Sequence, residues 1–129
     1  MVAKNIMTRK VITIDPAAAV KELAKVLSQN RISGVPVVDK KGKVLGVVSE
    51  ADIIGKKGKQ VKSIMTAKVI SATEETPVSE VAALMTGHRI KRVPVLRDNK
   101  LVGIISQGDI VSAVARGEHI ALHTPIYDL

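Results

Sequence analysis

Residues 102–110 read VGIISQGDI, and residues 45–53 already read LGVVSEADI. The likeness extends further along the chain. Shifted by 58, IMTRKVIT at 6–13 meets IMTAKVIS at 64–71, and NRISGVPVV at 30–38 meets HRIKRVPVL at 88–96. One residue fewer in a turn makes the shift 57 for the last segment. The 129-residue chain is therefore two copies of one unit. A unit of about 50 residues has only a marginal core of its own. Each copy is thus expected to bury its apolar face against the other.

Both copies follow one pattern. A short apolar strand comes first, at Val11 to Ile14 and Val69 to Ser71. A helix follows. In the second copy Thr76 reads as its N-cap and Pro77 as its first residue. Val78, Val81, Ala82, Leu84 and Met85 then keep helical spacing. The first copy offers Val20, Leu23, Ala24 and Leu27, approached through Asp15–Pro16. Two strands come next, VPVV then VLGVVS, and VPVL then LVGIIS, joined by the polar turns DKKGK and RDNK. Pro36 and Pro94 cannot donate to a ladder and favour an edge or a strand start. A final helix starts at Ser49 or Ser106. The result is β-α-β-β-α, twice, an α/β (α+β) fold with helices on mixed sheets. The divisions are residues 1–58 and 59–116, with 117–129 as a tail that has no counterpart in the first copy. The last helix is expected to run on as far as Thr124, where Pro125 ends it.

Composition narrows the function. There is no cysteine, which removes disulfides, thiolate metal sites and cysteine nucleophiles. No apolar run reaches the length of a membrane span, and the N-terminus has no apolar signal core. A cytoplasmic location is the expectation. Tyr127 is the only aromatic residue, so any bound ring must lie among aliphatic side chains and backbone. Net charge is +8, and residues 1–63 carry 13 basic against 5 acidic side chains. Part of that excess sits in GKKGKQVK at 55–62. Two readings of the excess stand: a solvated linker, or contact with an anionic partner.

Ser106, Gln107, Gly108 and Asp109 lie at a strand-to-helix junction. Ser-x-x-Asp is first of all a capping box, satisfying free amides of the first turn. A second role is compatible with that one. A helix N-terminus offers N–H groups and a positive dipole end to an anion. Gly108 lets a ligand approach the backbone, and a carboxylate there can accept both hydroxyls of a ribose. Arg89, Lys91 and Arg92 alternate with apolar residues beside that junction. They serve either as a solvated basic segment or as phosphate contacts.

These paired, ordered motifs, R-I-x-x-V-P-V and G-h-h-S-x-x-D-I (h, aliphatic), resemble a tandem pair of cystathionine-β-synthase (CBS) domains, a Bateman module, over about residues 6–115. The resemblance implies two repeats packed sheet to sheet about a pseudo-two-fold axis, with clefts that bind adenine nucleotides or S-adenosyl compounds. It assigns Asp109 to the ribose and Ser106 to phosphate, with Gly108 beside them. It assigns Lys91 and Arg92 to phosphate, and Ile12, Ile32 and Ser33 to the adenine. A second, weaker site would use Ser49, Asp52, Ile70 and Ile90. It is weaker because Ser33 and Gly34 stand where the other copy has Lys91 and Arg92, and Glu50 and Ala51 replace Gln107 and Gly108. The expected function is a free-standing, non-catalytic sensor that takes AMP, ADP, ATP or an S-adenosyl compound as regulatory ligand and needs no other cofactor. Its partners would be a second copy, forming a homodimer, and an unidentified effector protein. Ile110, Val111 and Val114 form either internal core or a dimer face. The alternative is an interaction protein docking its basic first half on nucleic acid or an acidic protein. Nucleic acid is disfavoured by the lack of a helix-turn-helix and of stacking aromatics.

Other signals are weak. His119 and His123 lack the carboxylates of a metal site. His88 reads as a C-terminal cap, and Met7 and Met65 as core. GKKGK lacks P-loop spacing. No nucleophile elbow or close carboxylate pair stands out.

Overall fold

Leu23 and Leu27, and Val81 and Met85, are four apart on one helical face, and all four are buried. They anchor the long helix of each copy in a computed structural model that describes residues 1–120. The elements run α1 (Ala3–Ile6), α2 (Val20–Asn30), β1 (Gly34–Val38), β2 (Val44–Ser49), α3 (Glu50–Gly55) and α4 (Val61–Ile64). They continue with β3 (Ala72–Thr73), α5 (Val78–His88), β4 (Arg92–Arg97), β5 (Lys100–Ser106) and α6 (Gln107–Ala115). β1 pairs antiparallel with β2, and a second sheet has the order β3-β4-β5, with β3 parallel to β4. This is a mixed α+β fold with two sheets, as the alternation of apolar runs and polar turns predicts.

The compact units are not the two copies as written in the sequence. One unit, here the Asp109 unit, comprises Met1–Val11, Ile70–Asp98 and the described residues from Val102 onward. The other, the Asp52 unit, comprises Ile12–Val69 and Asn99–Leu101. Each copy therefore gives its first short helix to the unit built on the other copy. A four-residue helix cannot hold itself together, so main-chain bonds from its host fix it. In the Asp109 unit, Ala3 and Lys4 N–H groups donate to the Thr76 and Glu74 carbonyls at 2.8 and 3.0 Å. The Val78 N–H donates to the Met1 carbonyl at 3.0 Å. In the Asp52 unit, Val61 and Lys62 N–H groups donate to Ala18 and Pro16 carbonyls, and Val20 N–H to Lys59, each at 2.9 Å. Past each helix the chain pairs with the host's last strand. Thr8 and Ile104 exchange bonds of 2.8 and 2.9 Å, and Thr66 and Val47 bonds of 2.8 and 3.0 Å.

The repeat-matched glycines follow from that pairing. A Cβ on Gly46 would lie 2.7 Å from the Thr66 carbonyl oxygen and 3.0 Å from Met65 Sδ. On Gly103 it would lie 2.6 Å from Met7 Sδ and 3.1 Å from the Thr8 carbonyl oxygen. Met7 packs in a core with Ala3, Val78, Val81, Met85, Val93, Val95 and Ile105. Met65 lies against the other core, which includes Leu23, Leu27, Val37, Val48, Val61 and Ile64. Both methionines are packing residues, as their matched positions suggest.

Several boundaries differ from expectation. Val11 to Ile14 is not a strand; only Ile14 pairs, as a single parallel bridge to Val37. Asp15 turns the chain at once, its Oδ1 accepting from Ala17 N–H at 2.8 Å, and α2 starts at Val20. Thr76 is not the N-cap of α5. Its Oγ1 accepts from Thr73 N–H at 2.9 Å, and Pro77 occupies the cap position with its first helical amide bonded to Met1. Pro94 lies within the central strand of its sheet, tolerated because β3 pairs only with Val95 and Leu96 beyond it. Arg89 is not in a strand; it is the left-handed C-cap of α5 at φ 54°, the match of Arg31 at φ 53°. His88 is thus the last helical residue rather than the cap. α6 ends at Ala115, where Gly117 at φ 87° sends its N–H back to Val114 and Glu118 N–H bonds Ala113. The continuation to Thr124 is overturned as far as Ile120; Thr124 and His123 lie outside the described residues. Ile110 is buried, whereas Val111 is 65% exposed, as is its match Ile54 at 86%.

Gly46→Ala is expected to cost about 1–3 kcal/mol of stability by overpacking. Gly103→Ala should cost less, because its nearest obstacle is a flexible methionine. Denaturant midpoints at unchanged slope would measure both. The Glu74–Arg97 pair braces the same region, with Nε–Oε1 and Nη2–Oε2 distances of 2.6 and 2.8 Å. The Arg97 guanidinium bonded to it holds the Glu74 carboxyl below its ordinary 4.5. Its stabilising effect is therefore present above that pH and is lost as pH falls through the depressed value. A carboxyl titration followed by NMR should show this, and Arg97→Gln should return Glu74 toward 4.5.

Candidate functional site

Ser106 ends β5 and caps α6, because its extended backbone frees its side chain to reach the first turn. Ser106 Oγ accepts from Asp109 N–H at 3.1 Å, and Asp109 Oδ2 accepts from Ser106 N–H at 2.9 Å. The Gln107 N–H donates to the Lys91 carbonyl at 3.0 Å, which draws the residue before β4 to the helix start. The amide between these two, on exposed Gly108, is engaged by neither bond. A Cβ on Gly108 would meet only Ser106 Oγ, at an ordinary 3.5 Å. Packing of the chain therefore does not require glycine there.

Thr8 completes this cluster, and the motif reading missed it. Its Oγ1 lies 3.3 and 3.4 Å from the two carboxylate oxygens of Asp109. The paired bonds to Ile104 hold it in that place. A signal existed in the matched IMT of 6–8 and 64–66, a polar residue closing an apolar segment in both copies.

Thr8, Lys91, Arg92, Ser106, Gly108 and Asp109 thus belong to one unit. Arg92 opens β4 and is half-buried, and Lys91 is exposed just before it. Ile12, Ile32 and Ser33 belong to the Asp52 unit, where Ile12 is exposed and the other two are half-buried. Ser49 and Asp52 belong to that unit also, while Ile70 and Ile90, both half-buried, belong to the Asp109 unit.

The two acids sit in different surroundings. Asp52 accepts from Ser49 N–H at 2.9 Å and from Ser49 Oγ at 3.3 Å, the same box in outline. The Glu50 N–H donates to the Ser33 carbonyl at 2.9 Å, matching Gln107 and Lys91. Asp52 Oδ1 is also paired with Lys56 Nζ at 2.8 Å, the side chains being 12% and 45% exposed. The same ammonium donates to the Ile64 carbonyl at 3.1 Å. The residue matching Lys56 is Ala113, fully buried. Asp52 is thus neutralised by an internal cation, whereas Asp109 receives one hydroxyl and its own backbone. α3 is also shorter than α6, six residues against nine. Among the described residues no cluster of three metal-ligating side chains occurs, and no helix is long and apolar enough to cross a membrane.

The CBS domain family model matches residues 3–58 and 61–116, and the chain belongs to that family as a pair of CBS domains. The CBS domain pair of protein MJ0100, solved in complex with 5′-methylthioadenosine and S-adenosyl-L-methionine, is similar at a TM-score of 0.82 and 33% identity, over 92% of this chain and 98% of that one. CBSX2 in complex with AMP is similar at a TM-score of 0.85 and 25% identity, over 89% and 96%. The CBS domain-containing protein YhcV of Bacillus subtilis is 30% identical over 83% of this chain and 81% of its own length. Inosine-5′-monophosphate dehydrogenase of Methanocaldococcus jannaschii is 38% identical, but there the chain spans only 23% of the relative's length. L-aspartate semialdehyde sulfurtransferase of the same organism is likewise matched over 22% of its length.

Ser106→Ala removes the acceptor of the Asp109 amide and is expected to cost about 1 kcal/mol. Ser49→Ala should cost less, because the box at α3 is looser: its serine forms no side-chain cap hydrogen bond of the kind Ser106 makes, and its hydroxyl donates to the Asp52 carboxylate. Thermal or urea unfolding of the two variants side by side checks the difference.

Proposed function

We propose that this chain is a non-catalytic regulatory module whose ligand is an adenosyl compound held by Asp109. The observation that carries the reading is the contrast between the two acids: the same capping box in outline, but among the described residues Asp52 is paired with a lysine and Asp109 with no cation. In this reading the Asp109 carboxylate accepts the ribose hydroxyls, with Thr8 Oγ1 beside it. Ser106, Lys91, Arg92 and the Gly108 amide take the anionic part of the ligand, at the positive end of α6. Glycine at 108 serves the ligand's approach. The complexes of the MJ0100 pair and of CBSX2 support the ligand class.

The energies suffice without an aromatic platform. Burying adenine among aliphatic groups gives a few kcal/mol at about 25 cal/mol per Å². Each charge-assisted bond adds about 1.5–3 kcal/mol, and ordering subtracts part of it. A net of about −8 kcal/mol corresponds to micromolar affinity. Binding that favours one arrangement of the chain shifts its population, and an effector protein would read that shift.

Calorimetry with AMP, ADP, ATP and S-adenosylmethionine tests the proposal. At least one should bind the wild type at micromolar concentration. Asp109→Asn keeps an acceptor for the Ser106 N–H and should weaken binding by about 2–3 kcal/mol, roughly 30- to 150-fold. Asp52→Asn should leave that site nearly unchanged. Absence of binding for every compound at millimolar concentration would sink the reading. A larger loss in Asp52→Asn than in Asp109→Asn would reverse the ranking of the two acids.

A further inference from the structure

Lys43 and Lys100 face each other across an isolated antiparallel bridge in the Asp52 unit. The flanking bonds run from Val44 N–H to the Asn99 carbonyl at 3.3 Å and from Leu101 N–H to the Gly42 carbonyl at 3.1 Å. That pattern makes the two lysines a non-hydrogen-bonded pair, the closest cross-strand arrangement of side chains. Like charges at such a position repel and destabilise the pairing. Lys40 and Lys41 lie in the adjoining turn, and all four lysines are exposed. Among the described residues none of the four is in an ion pair. The nearest carboxylate in sequence serves the turn itself: Asp39 Oδ1 accepts from the Lys41 and Lys43 N–H groups, both at 2.9 Å, and forms no ion pair with a lysine side chain. Asp98, at the neighbouring turn, forms no ion pair with them.

We propose that Lys40, Lys41, Lys43 and Lys100 form a docking surface for the phosphate backbone of a nucleic-acid duplex. A row of phosphates relieves the repulsion between Lys43 and Lys100 that the chain itself leaves uncompensated. Lysine suits a row of phosphates as a point charge; arginine, whose fork matches carboxylate and phosphate alike, is absent from this cluster. Single strands are held largely by stacking on aromatic rings, and residues 1–120 contain none. The contact is sequence-independent and uses none of the residues assigned to the Asp109 site.

Fluorescence anisotropy of a labelled 20-base-pair duplex with the full chain tests it. Binding at low salt should fall with log[salt] at a slope of roughly −2 to −4, as two to four phosphates are neutralised. Lys43→Glu with Lys100→Glu should weaken binding about tenfold or more and flatten that slope. Lys57→Glu with Lys59→Glu, an equal charge change elsewhere, should have a smaller effect. Equal losses from the two double variants would reduce the contact to net charge and overturn the assignment. So would a labelled poly-glutamate peptide binding more tightly than the duplex at the same salt, or no duplex binding at low salt. Circular dichroism of the variants separates lost binding from lost folding.

Discussion

The structure depends on a main-chain exchange. Thr8 bonds to Ile104 in both directions, and Thr66 does the same with Val47. Each exchange brings a short helix to a unit that its own copy does not build, and each requires a glycine on the receiving strand. The apolar side chains delivered this way, Ala3 and Met7 in one unit and Val61 and Ile64 in the other, complete the two cores. Sequence duplication is therefore a structural necessity here, since each core draws on both copies.

The same exchange shapes the candidate site. Thr8 is beside Asp109 only because the first segment of the chain pairs with β5, the strand that leads into α6. In the other unit the matching threonine has no such bond, and a lysine from the helix itself takes the carboxylate. One capping motif is thus used in two ways. With Lys56 its acid is a structural brace; with Ala113 in the matching place its acid has polar neighbours and, among the described residues, no cation.

Much of this was legible in the sequence. The paired motifs located β1, β2, β4 and β5, and Ser-x-x-Asp placed the caps of α3 and α6 at the right residues. The short helices α1 and α4 were not legible, because four residues carry no period and what fixes them is distant: carbonyls of the host unit and the core that Ala3, Val61 and Ile64 enter. The start of α5 was misread for the same reason: the Met1 carbonyl, 77 positions before Val78, satisfies the amide that a local cap would otherwise serve. At the site, the acids and their serines could be read from spacing. Thr8 and Lys56 could not, since one acts across 101 positions and the other lies outside the shared motif.

Two near-identical segments and two near-identical hosts pose a sorting problem during folding. Ala3 and Val61 hold matching positions, and both are fully enclosed, each in its own host. Exchanging them would press a branched side chain into a space shaped for a methyl group and leave a void in the other core. Both errors are costly in densely packed interiors. The difference between those two small residues thus lets the chain tell its own halves apart.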